Sequence, residues 1–524
     1  MSETSSAIGS VSRTTDLQRR VKRIGLVAGP LLALILYWTL PHEYRATDGT
    51  SVAFGHAGRA TLAMMGWMAT WWMTEAVEIE VTSLLPIALF PLFGIMPLGK
   101  TTANYGADVI YLFLGGFVIA LAIARCGLDR RIAFFTLRLV GTRPKAIVAG
   151  TMGATAFLSM WVSNTATAAM MIPIVLSVID VALRSRTGKG LQEHGGIPED
   201  DRDVRNFALS ALLGVAYAAS IGGLGTIIGS PPNGILVRFI EQGSGIQISF
   251  LEWMMIGVPA MLAFLPIAWF LNTFLLFPTH MTEIEGGRDY VREQWAKLGP
   301  LSRSERATLA VFAMAVVLWM TAPLLKDVEI GGIRPLGGLS DAGVAIIAAI
   351  TLFLISVDRE KNESLMDWAT AVQLPWGVLI LFGGGLALAA ATEANGVPGF
   401  IGSLAAGFSD WPVWLVLLAI IAIMVFMSEL TSNTAQVATM LPILAALAPV
   451  LNVPAGQLLI PSTIAASCAF MMPVGAPPDA IVFGTGLVRM PQMMKACIWL
   501  NLTGVLLIFL LTYVVFMPVL QAMR

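Results

Sequence analysis

The sequence predicts an all-α polytopic membrane protein built from an inverted repeat, and three features of the chain lead to this class. Its 524 residues are 56% hydrophobic and only 12% charged, whereas soluble proteins carry about 25% charged residues. Apolar runs of about 20 residues, the length that crosses a bilayer, recur along the chain, and we expect about eleven crossings. A polar triplet also occurs twice within apolar sequence, with its flanks in the same register.

Composition also disfavours several classes of protein. The net charge of −1 offers no basic surface to a nucleic-acid partner. Cys126, Cys468 and Cys497 are widely spaced and odd in number, which indicates reduced packing residues rather than a disulfide framework or a metal site. The apolar sequence contains no nucleophile–base pair, metal-ligand cluster or cofactor loop, so we do not expect an enzyme.

The distribution of lysine and arginine predicts the orientation of the chain in the membrane. Basic residues collect on the cytoplasmic side, so the basic cluster over residues 19–23 places the N-terminus inside, with residues 1–22 as a cytoplasmic tail. A long apolar run follows without a small-residue cleavage site, which indicates an uncleaved first helix. We expect a multi-pass protein of the plasma (inner) membrane, in contact with the lipid bilayer.

The two copies of the repeat differ in their flanking charges. Basic residues follow the first glycine-rich segment, 113–116, so that flank should be cytoplasmic. The second glycine-rich segment, 382–385, lies in a stretch without Lys or Arg, so its flank should lie outside. Equivalent segments on opposite sides form an inverted repeat, which is a recognised plan of secondary transporters. The alternative is a parallel repeat in which one loop lacks charge by chance.

Each glycine-rich segment precedes a short apolar stretch that ends at a glycine, Gly127 or Gly396. Such a stretch is marginal for a full crossing, and irregular backbone at membrane depth is tolerated where protein covers it. We therefore expect two re-entrant hairpins at these segments. The alternative is close packing of continuous helices through small residues.

The repeated triplet is the strongest pointer to a binding site, because polar, helix-breaking sequence at matching places in two halves is typical of transporter sites. Ser, Asn and Thr compete with the helix for backbone hydrogen bonds, so an unwound turn would expose carbonyl oxygens to a cation. The helix that follows would direct its positive N-terminal end at an anion. Alternatively, the hydroxyls only bond the preceding turn. The triplets are Ser163-Asn164-Thr165 and Ser432-Asn433-Thr434.

A second irregular turn follows each triplet, at a pair of prolines. Two prolines in apolar sequence remove two backbone donors and stop a helix, which leaves carbonyls and hydroxyls free for a ligand. The offset between these turns is smaller than that between the triplets, so we expect an insertion in the first half, in the charged loop over 184–205. The alternative is two ordinary loops. The turns are Gly229-Ser230-Pro231-Pro232-Asn233 and Gly475-Ala476-Pro477-Pro478-Asp479.

The predicted site has no basic side chain, since residues 146–183 and 362–488 contain neither Lys nor Arg. A divalent anion is costly to desolvate without compensation, and bound cations would supply that compensation. Anion and cation would then move together, which favours symport, because an exchanger would need a fixed basic group. Na⁺ suits sites made only of oxygen atoms. Proton coupling would need a titratable group such as Glu429 or Asp479, although Glu429 could instead be a structural carboxylate.

Five motifs resemble those of the divalent anion/sodium symporter family, which carries dicarboxylates, citrate or sulfate, and the resemblance covers most of the chain from residue 74 onward. It implies a homodimer in which a transport domain slides against a scaffold domain by an elevator motion. The scaffold would comprise residues 23–98 and 246–365, and the two transport repeats residues 99–245 and 366–524. The motifs span residues 74–86, 159–167, 229–233, 428–434 and 475–479.

The resemblance also implies where the ligands bind. One Na⁺ would lie near Ser159, Ser163, Asn164 and Gly229, and a second Na⁺ would lie near Ser428, Ser432, Asn433 and Gly475. The triplets and the proline turns would hold the substrate carboxylates. The substrate set is Ser163, Asn164, Thr165, Ser230 and Pro231 in the first half, and Ser432, Asn433, Thr434, Ala476 and Pro477 in the second.

Two positions depart from the family pattern, whose second turn is usually Thr-Pro-Pro-Asn. Ala476 removes a hydroxyl donor, and Asp479 adds a negative charge unless it is protonated or structural. We expect a secondary active transporter that couples Na⁺ to the uptake of a divalent anion, with a C4-dicarboxylate as the first expectation. The alternatives are a dicarboxylate exchanger, or a sulfate or citrate transporter on the same fold.

Overall fold

The computed structural model describes residues 16–46, 50–198, 201–329, 333–358, 363–408, 411–473 and 475–522. Most of the predicted tail and residues 199 and 200 of the predicted insertion loop lie outside these ranges. The first half contains helices α1 Asp16–Thr39, α2 His56–Thr74, α3 Ile79–Thr82, α4 Leu85–Leu92, α5 Leu98–Ala103, α6 Asp108–Cys126, α7 Leu128–Val140, α8 Pro144–Ser159, α9 Asn164–Thr187, α10 Leu191–His194, α11 Arg202–Gly222 and α12 Pro231–Ser244.

The remaining helices are α13 Phe250–Phe270, α14 Gly287–Leu298, α15 Arg303–Lys326, α16 Asp341–Leu354, α17 Trp368–Ala371, α18 Trp376–Ala394, α19 Val397–Leu404, α20 Val413–Ser428, α21 Asn433–Val450, α22 Ala455–Ala466, α23 Pro477–Gly484, α24 Met490–Leu511 and α25 Met517–Ala522. Short 3₁₀ turns occur at Asn104–Gly106 and Ala405–Phe408, and π-helical turns at Leu271–Leu276 and Thr512–Phe516. Two small antiparallel hairpins pair β1 Glu43–Arg45 with β2 Ser51–Ala53 and β3 Ser356–Asp358 with β4 Glu363–Ser364.

The predicted class, an all-α polytopic membrane protein, is confirmed. In the described part of the chain, nine helices are long and apolar enough to cross a membrane, and shorter apolar helices such as α16, α20 and α22 lie among them. The outer helices expose apolar side chains, for example Leu324 on α15 and Val514 after α24, which are 74% and 71% exposed. Large exposed apolar surfaces are rare in soluble proteins and are typical of membrane proteins.

Helix α11 forms the centre of the molecule. Its side chains are buried from Phe207 to Gly222, and α8 and α9 both pack against it. In the second half, α20, α21 and α24 pack around α22 in the same way. The halves also interlock, because α12 packs against α21 and α22 while α23 packs against α9 and α11.

The glycine-rich segments differ from our expectation, since each lies inside one continuous 19-residue helix, α6 or α18, and not in a re-entrant turn. Here the glycines allow close packing, which was the alternative. A Cβ on Gly115 would lie 2.5 Å from the Ala345 carbonyl carbon, and one on Gly384 would lie 2.5 Å from the Ser83 carbonyl oxygen. A helix of this length spans about 28 Å, nearly the thickness of the hydrocarbon core.

Phe113 and Phe382, which are equivalent residues of the two glycine-rich segments, contact each other with ring centroids 4.7 Å apart. Equivalent residues of a two-fold repeat can touch only near the axis that relates the copies. Gly234 of α12 lies against both rings. The first proline turn, at the start of α12, is therefore close to the centre of the repeat.

Candidate functional site

Both polar triplets interrupt a helix, as the sequence predicts. Helix α8 ends at Ser159 and α9 begins at Asn164, with the Ser163 hydroxyl accepting a hydrogen bond from the Ala166 N–H at 3.3 Å. In the second half α20 ends at Ser428, and α21 begins at Asn433. Each break thus leaves a short non-helical connection, and each outgoing helix presents unpaired N–H groups at its start.

The first break gathers oxygen atoms from three segments of the chain. The Ser159 hydroxyl oxygen lies 2.7 Å from the Asn164 side-chain oxygen and 2.7 Å from the carbonyl oxygen of Ala219 on α11. A hydroxyl carries one proton and can donate to only one of these two acceptors. With the Asn164 oxygen turned inward, the first oxygen cluster, formed by Ser159, Asn164, Ala219 and Gly229, therefore has more acceptors than donors.

The Asn164 amide decides which kind of ligand this cluster suits. When the amide nitrogen is turned inward, Asn164 Nδ2 donates to the carbonyl oxygens of Ala219 at 3.0 Å and Gly229 at 3.3 Å. These carbonyl oxygens then have hydrogen-bond donors within the protein. With its oxygen turned inward, the cluster presents oxygen atoms alone. An oxygen-only set suits a hard cation, so the residues fit a bound Na⁺.

The second break repeats this geometry. The Ser428 hydroxyl oxygen lies 2.5 Å from the Asn433 side-chain oxygen and also contacts the carbonyl oxygen of Ala466 on α22. Gly475 packs on the same turn, since a Cβ there would lie 3.2 Å from the Ser428 carbonyl oxygen. The second oxygen cluster, formed by Ser428, Asn433 and Ala466 with Gly475 packed beside it, again pairs one hydroxyl proton with two acceptors.

Gly223 lets the chain pass directly behind the first oxygen cluster. A Cβ at this position would lie 2.5 Å from Asn164 Oδ1 and 3.1 Å from the Gly229 carbonyl oxygen. Contacts of 2.5 Å are too short for any side chain, so only glycine allows this approach. The glycine-rich run before the first proline turn therefore shapes the site as well as giving the backbone freedom.

The proline turns begin α12 and α23, with Ser230 and Ala476 as N-cap residues and Pro231 and Pro477 at the first helical position. Proline suits that position because its missing N–H would be unpaired there in any case. Asn233 joins the first turn to the preceding loop by donating to the carbonyl oxygens of Gly223, at 2.9 Å, and Thr226, at 2.8 Å.

Glu429 has the geometry of a structural carboxylate. It is 3% exposed and accepts hydrogen bonds from the N–H groups of Phe470, Met471 and Met472 at 2.8–3.0 Å. Asn501 Nδ2 of α24 donates to the same carboxylate at 2.5 Å. These donors stabilise a charged carboxylate and connect the second break to the segment before the second proline turn.

The predicted site residues divide into a buried set and an accessible set. Ser159, Ser428, Ser230 and Ala476 are buried, whereas Thr165 and Pro477 are exposed and the other triplet residues are partly exposed. Sequence reasoning missed Ala219, Ala466 and Asn501. The two alanines act through their carbonyl oxygens, which leave no mark in the sequence. Asn501, an amide within an apolar helix, was a signal that could have been followed.

Interrupted helices, paired oxygen clusters and interlocked repeats define this molecule as a secondary transporter of the membrane. The chain belongs to the sodium:sulfate symporter family, because the model of the family's transmembrane region matches residues 46–522. The resemblance seen in the motifs is thereby confirmed.

Relatives with a described activity match along nearly the whole chain. The sodium-dependent dicarboxylate transporter SdcS of Staphylococcus saprophyticus is 38% identical over 499 residues, which cover 95% of this chain and 92% of the relative. SdcS of Staphylococcus aureus strain USA300 is also 38% identical, over 95% of this chain and 91% of the relative.

Two solved structures share the fold. The YdaH transporter of Alcanivorax borkumensis superimposes with a TM-score of 0.59 at 13% identity, covering 94% of this chain and 97% of its own. MtrF of Neisseria gonorrhoeae gives a TM-score of 0.58 at 11% identity, covering 95% of this chain and 97% of its own. At these identities the likeness concerns the fold alone.

Proposed function

We propose that this protein is a Na⁺-coupled symporter that takes up a divalent anion, with a C4-dicarboxylate as its substrate. The observation that carries the proposal is the pair of equivalent oxygen clusters at two helix breaks, in stretches of sequence without Lys or Arg. The names of the SdcS relatives support both the coupling ion and the substrate class.

Each oxygen cluster would hold one Na⁺. In the first half the ligands are Ser159, Ser163, Asn164 and Gly229, joined by the Ala219 carbonyl oxygen; in the second half they are Ser428, Ser432, Asn433 and Gly475, joined by the Ala466 carbonyl oxygen. An arriving cation removes the repulsion between acceptor oxygens that share a single hydroxyl proton. The inward amide oxygen of Asn164 then becomes favourable, so this side chain reports the occupancy of the first cluster.

The anion would bind between the two breaks, at the starts of α9 and α21. Helix N-termini carry a partial positive charge and free N–H groups. The partly exposed side chains of Asn164, Asn433 and Thr434 and the exposed side chain of Thr165 add donors. The proline turns at Ser230–Pro231 and Ala476–Pro477 would close the site. Ala476 provides no hydroxyl, so the second half offers one donor fewer than the first.

Coupling follows from charge. Partial charges at helix ends are too small to replace the solvation of a dianion in a low-dielectric pocket, and the site has no fixed cation. Two bound Na⁺ ions make the loaded site close to neutral, so moving the loaded site across the membrane costs much less free energy than moving a partly loaded one. Because the anion and Na⁺ must then move together, the transport is symport.

We further propose that the carrier is a homodimer in the plasma (inner) membrane, with its N-terminus in the cytoplasm, and that it works by an elevator motion. Helices α6 and α7 pack against α14, α15 and α16, and α7 is tied to α15 by a buried ion pair between Arg131 and Glu305 with N–O 2.6 Å. We therefore place α6 and α7 with the scaffold, and the moving part of the first half begins at α8.

Purified protein in proteoliposomes tests the proposal. An inward Na⁺ gradient should drive uptake of labelled succinate, and collapse of the gradient should abolish it. Uptake that ignores Na⁺ but requires internal dicarboxylate would overturn symport in favour of exchange. Competition by unlabelled succinate, malate, 2-oxoglutarate, citrate and sulfate then identifies the substrate, because sulfate or citrate as the strongest competitor would overturn the C4-dicarboxylate assignment.

A further inference from the structure

Asp479, on the first turn of α23, is an unexplained acid in the interior of the molecule. Its side chain is 0% exposed, and within the residues that the structure describes neither carboxyl oxygen has a hydrogen-bond partner. Within these described residues, Asp479 also forms no ion pair with a basic side chain. An ionised carboxylate in such a place loses its hydration and gains nothing in return.

The first repeat shows which chemistry this position requires. Asn233 is the equivalent residue, and the backbone agrees, since the Asn233 N–H donates to Ser230 O at 3.1 Å and the Asp479 N–H donates to Ala476 O at 3.0 Å. The Asn233 amide donates to two carbonyl oxygens of the preceding loop. A carboxylate has no proton to donate, whereas a carboxylic acid has one.

The neighbouring ionisable groups oppose a negative charge on Asp479. Glu429, whose carboxyl accepts hydrogen bonds from backbone N–H groups, is the acidic group that acts electrostatically on Asp479. Tyr217 of α11 and Cys497 of α24, which contact each other at 2.9 Å, are the other ionisable groups that interact electrostatically with Asp479.

The other ionisable groups on α9 and α11, the helices packed against α23, form pairs of their own or lie at the start of α11. On α9, Asp180 and Arg184 pair with each other, and Arg186 pairs with Asp201. On α11, Arg202, Asp203 and Arg205 lie at its start, and Arg205 lines a cavity with Thr485 and Gly486, which follow α23. Among the described groups that act on Asp479, none is a base that could balance it.

We infer that Asp479 binds a proton and works as a neutral carboxylic acid whose O–H replaces the amide of Asn233 as donor to the loop ahead of the second proline turn. This proton site is separate from both oxygen clusters. Loss of the proton would place a buried, unpaired negative charge beside the Ala476–Pro477 turn and loosen it. The carrier should therefore lose function at alkaline pH. This inference relies on the proposed function only because uptake is one of the two measurements that test it.

The test compares the unaltered protein with Asp479→Asn, which supplies a permanent donor of the same shape. Uptake at a fixed Na⁺ gradient should fall by about tenfold from neutral to alkaline pH in the unaltered protein, the loss expected when a buried donor is removed, and should stay level in Asp479→Asn. Asp327→Asn removes an 80% exposed carboxylate and should leave the pH profile unchanged.

Thermal unfolding in detergent provides the second readout, which needs no transport. A group that is protonated when folded and ionised when unfolded binds more protons in the folded state, so stability falls as pH rises. This fall should be smaller in Asp479→Asn than in the unaltered protein and in Asp327→Asn.

Three results would overturn the inference: equal unfolding profiles for Asp479→Asn and the unaltered protein, a large loss of uptake by Asp479→Asn at all pH values, or a shallower dependence of its uptake on Na⁺ concentration. The last would indicate that Asp479 binds a cation instead of a proton. Failure of the proposed function is distinguishable, because it removes uptake from every variant and leaves the unfolding profiles intact.

Discussion

At the scale of single residues, the proposed site depends on two serines and two asparagines that bring acceptor oxygens together at the helix breaks. Ser159 and Ser428 each face an asparagine oxygen and a carbonyl oxygen within hydrogen-bond distance. With the Asn164 oxygen turned inward, the acceptor oxygens outnumber the available protons, which is costly without a ligand and would become favourable if a cation bound. Under the proposed function, these residues would give each cluster its affinity for Na⁺.

We predict that Asn164→Ala and Asn433→Ala each abolish Na⁺-driven uptake, because each removes a side-chain oxygen from one cluster. Uptake into proteoliposomes is the measurement. The matched control is Asn206→Ala, which removes an amide that donates to Pro278 O at 2.7 Å, away from both breaks. Full activity in both site variants would remove the site assignment, provided that all three proteins elute as folded species.

At the scale of helices, the breaks are held in place by close backbone contacts. Gly223 fits against Asn164 only because it has no Cβ. The first proline turn is tied to the first break by Thr226, whose hydroxyl donates to Met160 O at 2.5 Å and accepts from the Gly229 N–H at 3.1 Å. A displacement of this loop is therefore transmitted to the oxygen cluster.

We predict that Gly223→Ala lowers the apparent Na⁺ affinity by about 10–100-fold, as changes behind metal ligands commonly do. The added methyl group would displace the Asn164 side chain. Gly153→Ala on α8 is the matched control, since a Cβ there meets nothing within 4 Å. Sodium titrations of uptake measure both variants, and equal affinities would show that Asn164 tolerates the displacement.

A buried ion pair between Arg131 and Glu305 joins α7 to α15. Its side chains are only 10% and 6% exposed, and Arg131 also donates to the carbonyl oxygens of Leu298 and Gly299 at 3.0 Å. Arg131→Met should lower the free energy of unfolding by about 3–5 kcal/mol, because a buried charge loses its partner. Chemical denaturation measures this change.

The double variant Arg131→Met with Glu305→Gln is the control for that experiment. Removing both charges leaves no unpaired ion, so stability should recover in part relative to the single variant. A single variant as stable as the unaltered protein would show that this contact does not hold α7 against α15.

At the scale of the whole molecule, charge asymmetry and repeat symmetry together predict which parts of the chain face each side of the membrane. We predict that a cysteine at Arg20 is labelled only from the cytoplasm, and one at Leu404, which is 70% exposed at the end of α19, only from outside. Membrane-impermeant maleimide on intact cells and on inverted vesicles measures this. The background is a variant without Cys126, Cys468 and Cys497, tested for uptake; labelling of both positions from one side would contradict the inverted repeat.

The sequence alone determined the membrane class, the repeat, the helix breaks and the position of the proline turns. These features depend on composition and on local backbone preference, and both can be read from residue types. The side chains of the oxygen clusters follow from the same signals, since Ser159 and Asn164 recur as Ser428 and Asn433.

Only the tertiary structure decided the rest. The carbonyl oxygens of Ala219 and Ala466 complete the clusters, and every residue has a carbonyl, so no residue type could mark them. The glycine-rich segments were expected to turn, but they run on as helices, and their glycines let Ala345 and Ser83 pack where a Cβ would be. Asp479 could be judged only once its burial and its missing partners were known, because the charge of an acid in a membrane depends on what surrounds it.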